Sequence, residues 1–145
     1  MASVHLSTII NCDVASAWDA LQDFGALHTR LAPGFVTDCQ LAGEARIVTF
    51  HNGMSVRERF VSSDDAQRRL VWSVVGPPFE HHNGAATVSP DGADGEGHCR
   101  FEWQADMLPD VLAGELEPMM REGLAAIKRH LEAGAASRTS MRHDS

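Results

Sequence analysis

The 145-residue chain contains no tyrosine, so no phenol is available as a general acid or an oxyanion donor. Its three cysteines, Cys12, Cys39 and Cys99, are odd in number, far apart and without Cys-x-x-Cys spacing. That argues against a disulfide framework or a zinc knuckle and for small buried hydrophobes. Basic side chains are scarce: 12 Lys and Arg face 20 Asp and Glu, for a formal net charge of −8. Such a balance speaks against nucleic acid or an anionic membrane surface as a partner. No apolar run approaches the ~20 residues of a membrane span. The start, Met1-Ala2-Ser3-Val4-His5, has no basic region followed by a long apolar stretch, so no signal peptide is visible and a cytoplasmic location is expected. There is no Gly-x-Ser-x-Gly, His-Glu-x-x-His, P-loop or dinucleotide fingerprint.

What is present suits a soluble globular protein: 43% hydrophobic and 22% charged residues. The length predicts one domain with a real core, over 1–133. The small, polar tail Gly134–Ser145 is expected to be disordered. A monomer or homodimer is expected.

Periodicity predicts seven strands and a long last helix. Val4–Ile10 alternates as a first strand. Asp13 is a candidate N-cap for a helix over 13–22, with Val14, Trp18 and Leu21 at helical spacing. Asp23–Leu31 reads as a second short helix or turn, ended by Pro33-Gly34. Phe35–Ala42 is the second strand, with Thr37, Cys39 and Leu41 on one face. Arg46–His51 and Met54–Ser62 flank Asn52-Gly53, a strong hairpin signal because both residues tolerate positive φ. Arg68–Val75 and His81–Ser89 follow, separated by Gly76-Pro77-Pro78. The glycine-rich stretch Pro90–Gly97 reads as a solvated hairpin loop before a seventh strand, His98–Ala105. The final helix is expected over about Pro109–Ala133, its apolar stripe including Leu116, Met119, Met120, Leu124, Ile127 and Leu131. Pro118 lacks an amide donor and crowds the carbonyl of Gly114, so a kink or break is expected there. The sum is an α+β fold: a seven-stranded curved antiparallel sheet wrapped around a long C-terminal helix, with two short helices between strands 1 and 2. A curved sheet around a single helix encloses space, and such space is where small ligands bind.

This element order, together with Gly43-Glu44-Ala45-Arg46, Asn52-Gly53, Val56-Arg57-Glu58-Arg59-Phe60, Asp64-Asp65 and Arg69-Leu70-Val71-Trp72-Ser73-Val74, resembles the helix-grip (START, Bet v 1-like, SRPBCC) superfamily, in its bacterial polyketide cyclase/dehydrase-like branch. Val14-Ala15-Ser16-Ala17-Trp18-Asp19-Ala20-Leu21 and Asp23-Phe24 match the first helices of that fold. The resemblance covers residues 3–133. It is similar to the plant abscisic-acid receptors around strands 4 and 5, which implies that Glu58 and Trp72 line a ligand cavity. Two departures stand out. Thr37 occupies the place of a lysine that meets an acidic ligand there, and Gly76-Pro77-Pro78 replaces a gating loop.

Strand alternation then assigns inward positions: Val48, Phe50, Val56, Glu58, Phe60, Leu70, Trp72, Val74, Phe101 and Trp103. On the sixth strand either parity is possible, and the preferred one sets His82, Gly84, Ala86 and Val88 inside; Leu116, Met119, Met120 and Gly123 join them from the helix. Glu58 is the anomaly, a carboxylate on an apolar face. It has three readings: an acceptor for cavity waters or a polar ligand group, a general acid or base with a pKa raised by desolvation, or a group that only pairs with a buried partner or, if the register slips, faces solvent. His81 and His82 are strand neighbours and point to opposite faces, so they cannot share a metal; no metal or cofactor is expected. Arg57 and Arg59 should face outward. The expected function is binding of a hydrophobic or aromatic small molecule (lipid, polyketide or similar) between sheet and helix. The alternative is a polyketide cyclase or dehydratase-type enzyme, with Glu58 and His82 exchanging protons.

Overall fold

The alternation of β1 (Ala2–Ile10) is visible in its burial: Val4, Leu6 and Ile10 are buried while His5 and Ser7 are exposed. In the computed structural model the chain is described over residues 1–91 and 97–143, with side chains as far as 137. Most of the loop expected at Pro90–Gly97 therefore lies outside the described residues, as do the last two residues of the tail. After β1, Asp13 caps α1 (Val14–Gln22) by accepting a hydrogen bond from the Ser16 amide at 3.2 Å. A 3₁₀ turn (Phe24–Ala26) and a single π turn (Leu27–Leu31) complete the link to the sheet. The π turn is closed by the Ala32 amide bonding to the Leu27 carbonyl at 2.9 Å.

Six further strands follow: β2 (Val36–Ala42), β3 (Ala45–Phe50), β4 (Ser55–Asp64), β5 (Arg69–Val75), β6 (His81–Pro90) and β7 (Cys99–Leu108). They form one antiparallel sheet in the order β1-β7-β6-β5-β4-β3-β2. A 3₁₀ turn (Asp110–Leu112) leads into α2 (Ala113–His143), which lies across the concave face.

Three local features differ from the sequence expectation. The β3–β4 connection is a three-residue loop, His51-Asn52-Gly53, closed by the Phe50 amide on the Met54 carbonyl at 2.8 Å; only Gly53 takes positive φ, at 88°. Strand β2 carries a bulge between Val36 and Asp38, which turns Thr37 outward to bond the Thr49 carbonyl while Val36 and Cys39 are buried. Finally, α2 runs through Pro118 without a break and continues past Ala133 to His143. Pro118 lies in the second turn, where its missing amide costs one bond to Gly114. Ala135 and Ala136 are strong helix formers, so the stretch after Gly134 favours helix.

The buried stripe of α2 is Met120, Leu124, Ile127 and Leu131, at the spacing of an amphipathic helix. Each such side chain is worth about 1.5–3 kcal/mol when fully removed from water. Lys128 fastens this half of the helix to the end of β1, donating to the Ile9 carbonyl at 2.7 Å, and Glu132 accepts from the Asn11 amide at 2.9 Å. The first half of α2 and the turn before it are held less closely: Leu112, Leu116 and Met119 are only half-buried. The helix thus clamps onto the β1 side of the sheet and stands off from its middle strands, leaving a wedge of space.

Candidate functional site: a lined cavity between sheet and helix

That wedge is a cavity of about 170 Å³. Its sheet wall is built from Arg46 and Phe50 on β3, Val56 and Glu58 on β4, Trp72 and Val74 on β5, His82 and Ala86 on β6, and Phe101 and Trp103 on β7. Leu116, Met119, Met120, Gly123 and Ile127 of α2 form the opposite wall. Leu21, Leu27, Leu31, Ala32, Phe35 and Val36 close one end. The most exposed lining residues, Met54, Pro78 and Glu115, place the mouth between the β3–β4 loop, the β5–β6 loop and the start of α2. His51 Nε2 lies 2.8 Å from Glu122 Oε1, a contact that ties the hairpin to the helix.

Of the residues expected to face a ligand, twelve share this wall: Phe50, Val56, Glu58, Trp72, Val74, His82, Ala86, Phe101, Trp103, Leu116, Met119 and Met120. Two do not. Val48 is fully buried, but in the core cluster rather than at the cavity. Phe60 is 39% exposed and lies outside the cavity. A bulge follows it in β4, and its ring packs edge-on against Phe24 at 5.6 Å. Phe60 shares the parity of Glu58, but at that point the strand lies beyond the cavity.

Small residues make the room. A Cβ added at Gly84 would lie 2.4 Å from the Trp72 indole, and one at Gly123 would lie 2.9 Å from both Phe35 and Trp103. The two glycines let these rings approach the backbone more closely than any side chain would allow.

Three ionisable groups are buried on the inner wall. Arg46 and Glu58 face each other across the β3–β4 ladder. The guanidinium Nε donates to Glu58 Oε1 at 2.8 Å, and Nη2 lies 2.8 Å from the same oxygen. Nη1 donates to the Phe24 carbonyl at 3.0 Å. The guanidinium also stacks over the Phe24 ring at 4.1 Å and reaches the Trp72 ring at 5.7 Å. The third group, His82, lies against Phe79 with ring centroids 4.4 Å apart. Its Nδ1 is buried without a hydrogen-bond partner among the described residues. Burial, helped by the charge of neighbouring His81, pushes its pKa down to about 4, so it is a neutral imidazole at pH 7.

Arg46 is the charged cavity-lining residue that strand reading missed, although it shares the parity of Val48 and Phe50. Leu27, Leu31 and Phe79 were missed for another reason: they come from turns, where no periodicity assigns a face, while the helical spacing of Leu21 and the strand reading of Phe35 gave no sign that either reaches the cavity. Among the described residues no group of three or more His, Cys, Asp or Glu is arranged to hold a metal ion. No described helix is long and apolar enough to cross a membrane.

Comparison with known proteins agrees with this architecture. The family model described as polyketide cyclase/dehydrase and lipid transport matches residues 1–132. A protein from Thermobifida fusca is 28% identical, with a TM-score of 0.69 over 92% of this chain and 91% of its own. XoxI from Bacillus cereus superposes with a TM-score of 0.79 at 19% identity, covering 90% of this chain and 96% of its own. The di-domain ARO/CYC BexL from the BE-7585A biosynthetic pathway has a TM-score of 0.74 at 15% identity; 91% of this chain matches 47% of that one. At such identities the last two show a shared fold. No curated protein matches the chain significantly.

Proposed function

Since the chain belongs to the polyketide cyclase/dehydrase and lipid transport family, we propose that it binds an apolar small molecule in the cavity between sheet and helix. The observation that carries this reading is the cavity itself: about 170 Å³, apolar on nearly every side, with Arg46, Glu58 and His82 as its only ionisable groups away from the mouth among the described residues. Magnitude narrows the ligand. An engineered cavity of about 150 Å³ holds benzene, while pockets for drug-sized ligands run from about 300 Å³ upward. The enclosed space therefore suits one ring, or a short chain, with anything larger projecting through the mouth.

A cyclase or dehydratase would use the same cavity with Glu58 and His82 exchanging protons. Binding is the better reading, because protonating Glu58 would strand Arg46 as an unpaired buried charge, which is costly.

The test is native mass spectrometry of gently purified protein beside its Ala86→Leu variant, whose larger side chain fills the wall opposite the helix. The expected result is a one-to-one small-molecule adduct in the parent and none in the variant, with matching circular dichroism. An empty parent protein that no single-ring aromatic stabilises against heat would refute the proposal.

A further inference from the structure

Glu58 and Arg46 together define what the cavity can recognise. A carboxylate offers about four lone-pair positions on two oxygens, yet both guanidinium contacts converge on Oε1. The lone pairs of Oε2 are left for the cavity that Glu58 lines. The guanidinium is differently placed. Its charge is met by Glu58, its Nη1 by the Phe24 carbonyl, and its faces by the Phe24 and Trp72 rings. It has little left to offer an anion.

A second polar point lies on the same wall. Glu58 pairs with Val74 on β5, and the β5–β6 register, continued by one step from Ser73 and Asn83, sets Val74 beside His82. With strands about 4.8 Å apart, the two backbone positions are roughly 10 Å from each other across Val74. Between an acceptor-only carboxylate oxygen and a neutral imidazole the wall is apolar.

Resting on the binding reading above, we infer that the ligand is an uncharged ring bearing a hydroxyl group that donates to Glu58 Oε2, and that the pair of Arg46 and Glu58 excludes carboxylates. A carboxylate ligand would meet Glu58 as a like charge while Arg46 is already neutralised. A plain hydrocarbon would fill the space but leave Oε2 unmatched in an apolar site, where an unpaired polar atom is costly.

The experiment compares three single-ring probes of similar shape by calorimetry at pH 7: toluene, p-cresol and 4-methylbenzoate. p-Cresol should bind roughly ten-fold or more tighter than toluene, the value of one hydrogen bond to a charged acceptor, and 4-methylbenzoate weakest of the three. In Glu58→Gln, where Arg46 lacks its counter-ion, the order of p-cresol and 4-methylbenzoate should invert. Should that variant not fold, Arg46→Met/Glu58→Leu serves instead: it removes both charges and should bind toluene at least as well as p-cresol. Equal binding of toluene and p-cresol by the parent, or a preference for 4-methylbenzoate, would overturn this inference and leave the binding reading standing. Failure of all three probes would overturn both.

Discussion

Replacing Arg46 with methionine keeps most of the side-chain volume and removes the cation. In the parent, the Arg46 and Glu58 side chains are 4% and 10% exposed and meet at 2.8 Å. The variant leaves a carboxylate in that setting with no counter-ion, and breaking a buried pair from one side costs about 3–5 kcal/mol. Loss of the donor to the Phe24 carbonyl adds about 1 kcal/mol. Water entering through the mouth relieves part of both, so a net loss of about 3–4 kcal/mol is expected. For a chain of this size that corresponds to a fall in Tm of roughly 10–15 °C. Arg46→Met/Glu58→Leu replaces both charges with apolar groups of similar volume and should lie within about 1 kcal/mol of the parent. Urea denaturation followed by tryptophan fluorescence, run as a double-mutant cycle, measures the coupling. If the single variant were as stable as the parent, Glu58 would be hydrated rather than paired. If the double variant were as unstable as the single one, the loss would come from packing and the electrostatic argument would fail.

The remaining predictions concern other parts of the same wall. The folded pKa of His82 is depressed from 6.5 to about 4, so the unfolded chain binds the extra proton as pH falls between those values. Stability contributed by neutral His82 is thus complete above pH 6.5 and is lost on acidification toward pH 4, by up to about 3 kcal/mol. His82→Gln should flatten that slope relative to the parent, and parallel slopes would refute it. Gly84→Ala drives a methyl into the Trp72 indole and should cost about 1–3 kcal/mol, with a shift in Trp72 emission; an unperturbed spectrum would count against the close approach of ring and backbone. The three cysteines are buried, and the contact of Cys99 with the Cys12 sulfur, 3.9 Å away, together with burial pushes the Cys99 thiol well above its ordinary value. None should react with Ellman's reagent until the protein unfolds.

Particular residues show how far the sequence carries. Period-two alternation placed Trp72 and Phe101 on the inner face because each lies inside its strand, where the pleat alone decides direction; on the sixth strand it left either parity open, and the structure turns His82 and Ala86 inward. Alternation misled at Thr37, where a bulge breaks the parity, and at Phe60 parity alone could not tell that the strand has left the cavity, because bulges and the reach of the helix are tertiary facts that no local pattern encodes. The partner of Glu58 was hidden by one residue of loop length. Read as a two-residue turn, Asn52-Gly53 sets Arg46 opposite Arg59; the three-residue loop sets it opposite Glu58 instead. An odd carboxylate on an apolar face thus becomes half of an ion pair. The end of the cavity formed by Leu27 and Leu31 depends on a π turn whose sequence announces only a break.

The central claim, that the space between sheet and helix is a binding cavity, is tested most directly by methyl NMR with p-cresol as the probe. The Met119, Met120 and Leu116 methyl groups should shift on titration and show nuclear Overhauser contacts to the aromatic protons, while those of exposed Leu41 and Val61 stay fixed. Shifts confined to the exposed methyl groups, or none at all, would contradict it.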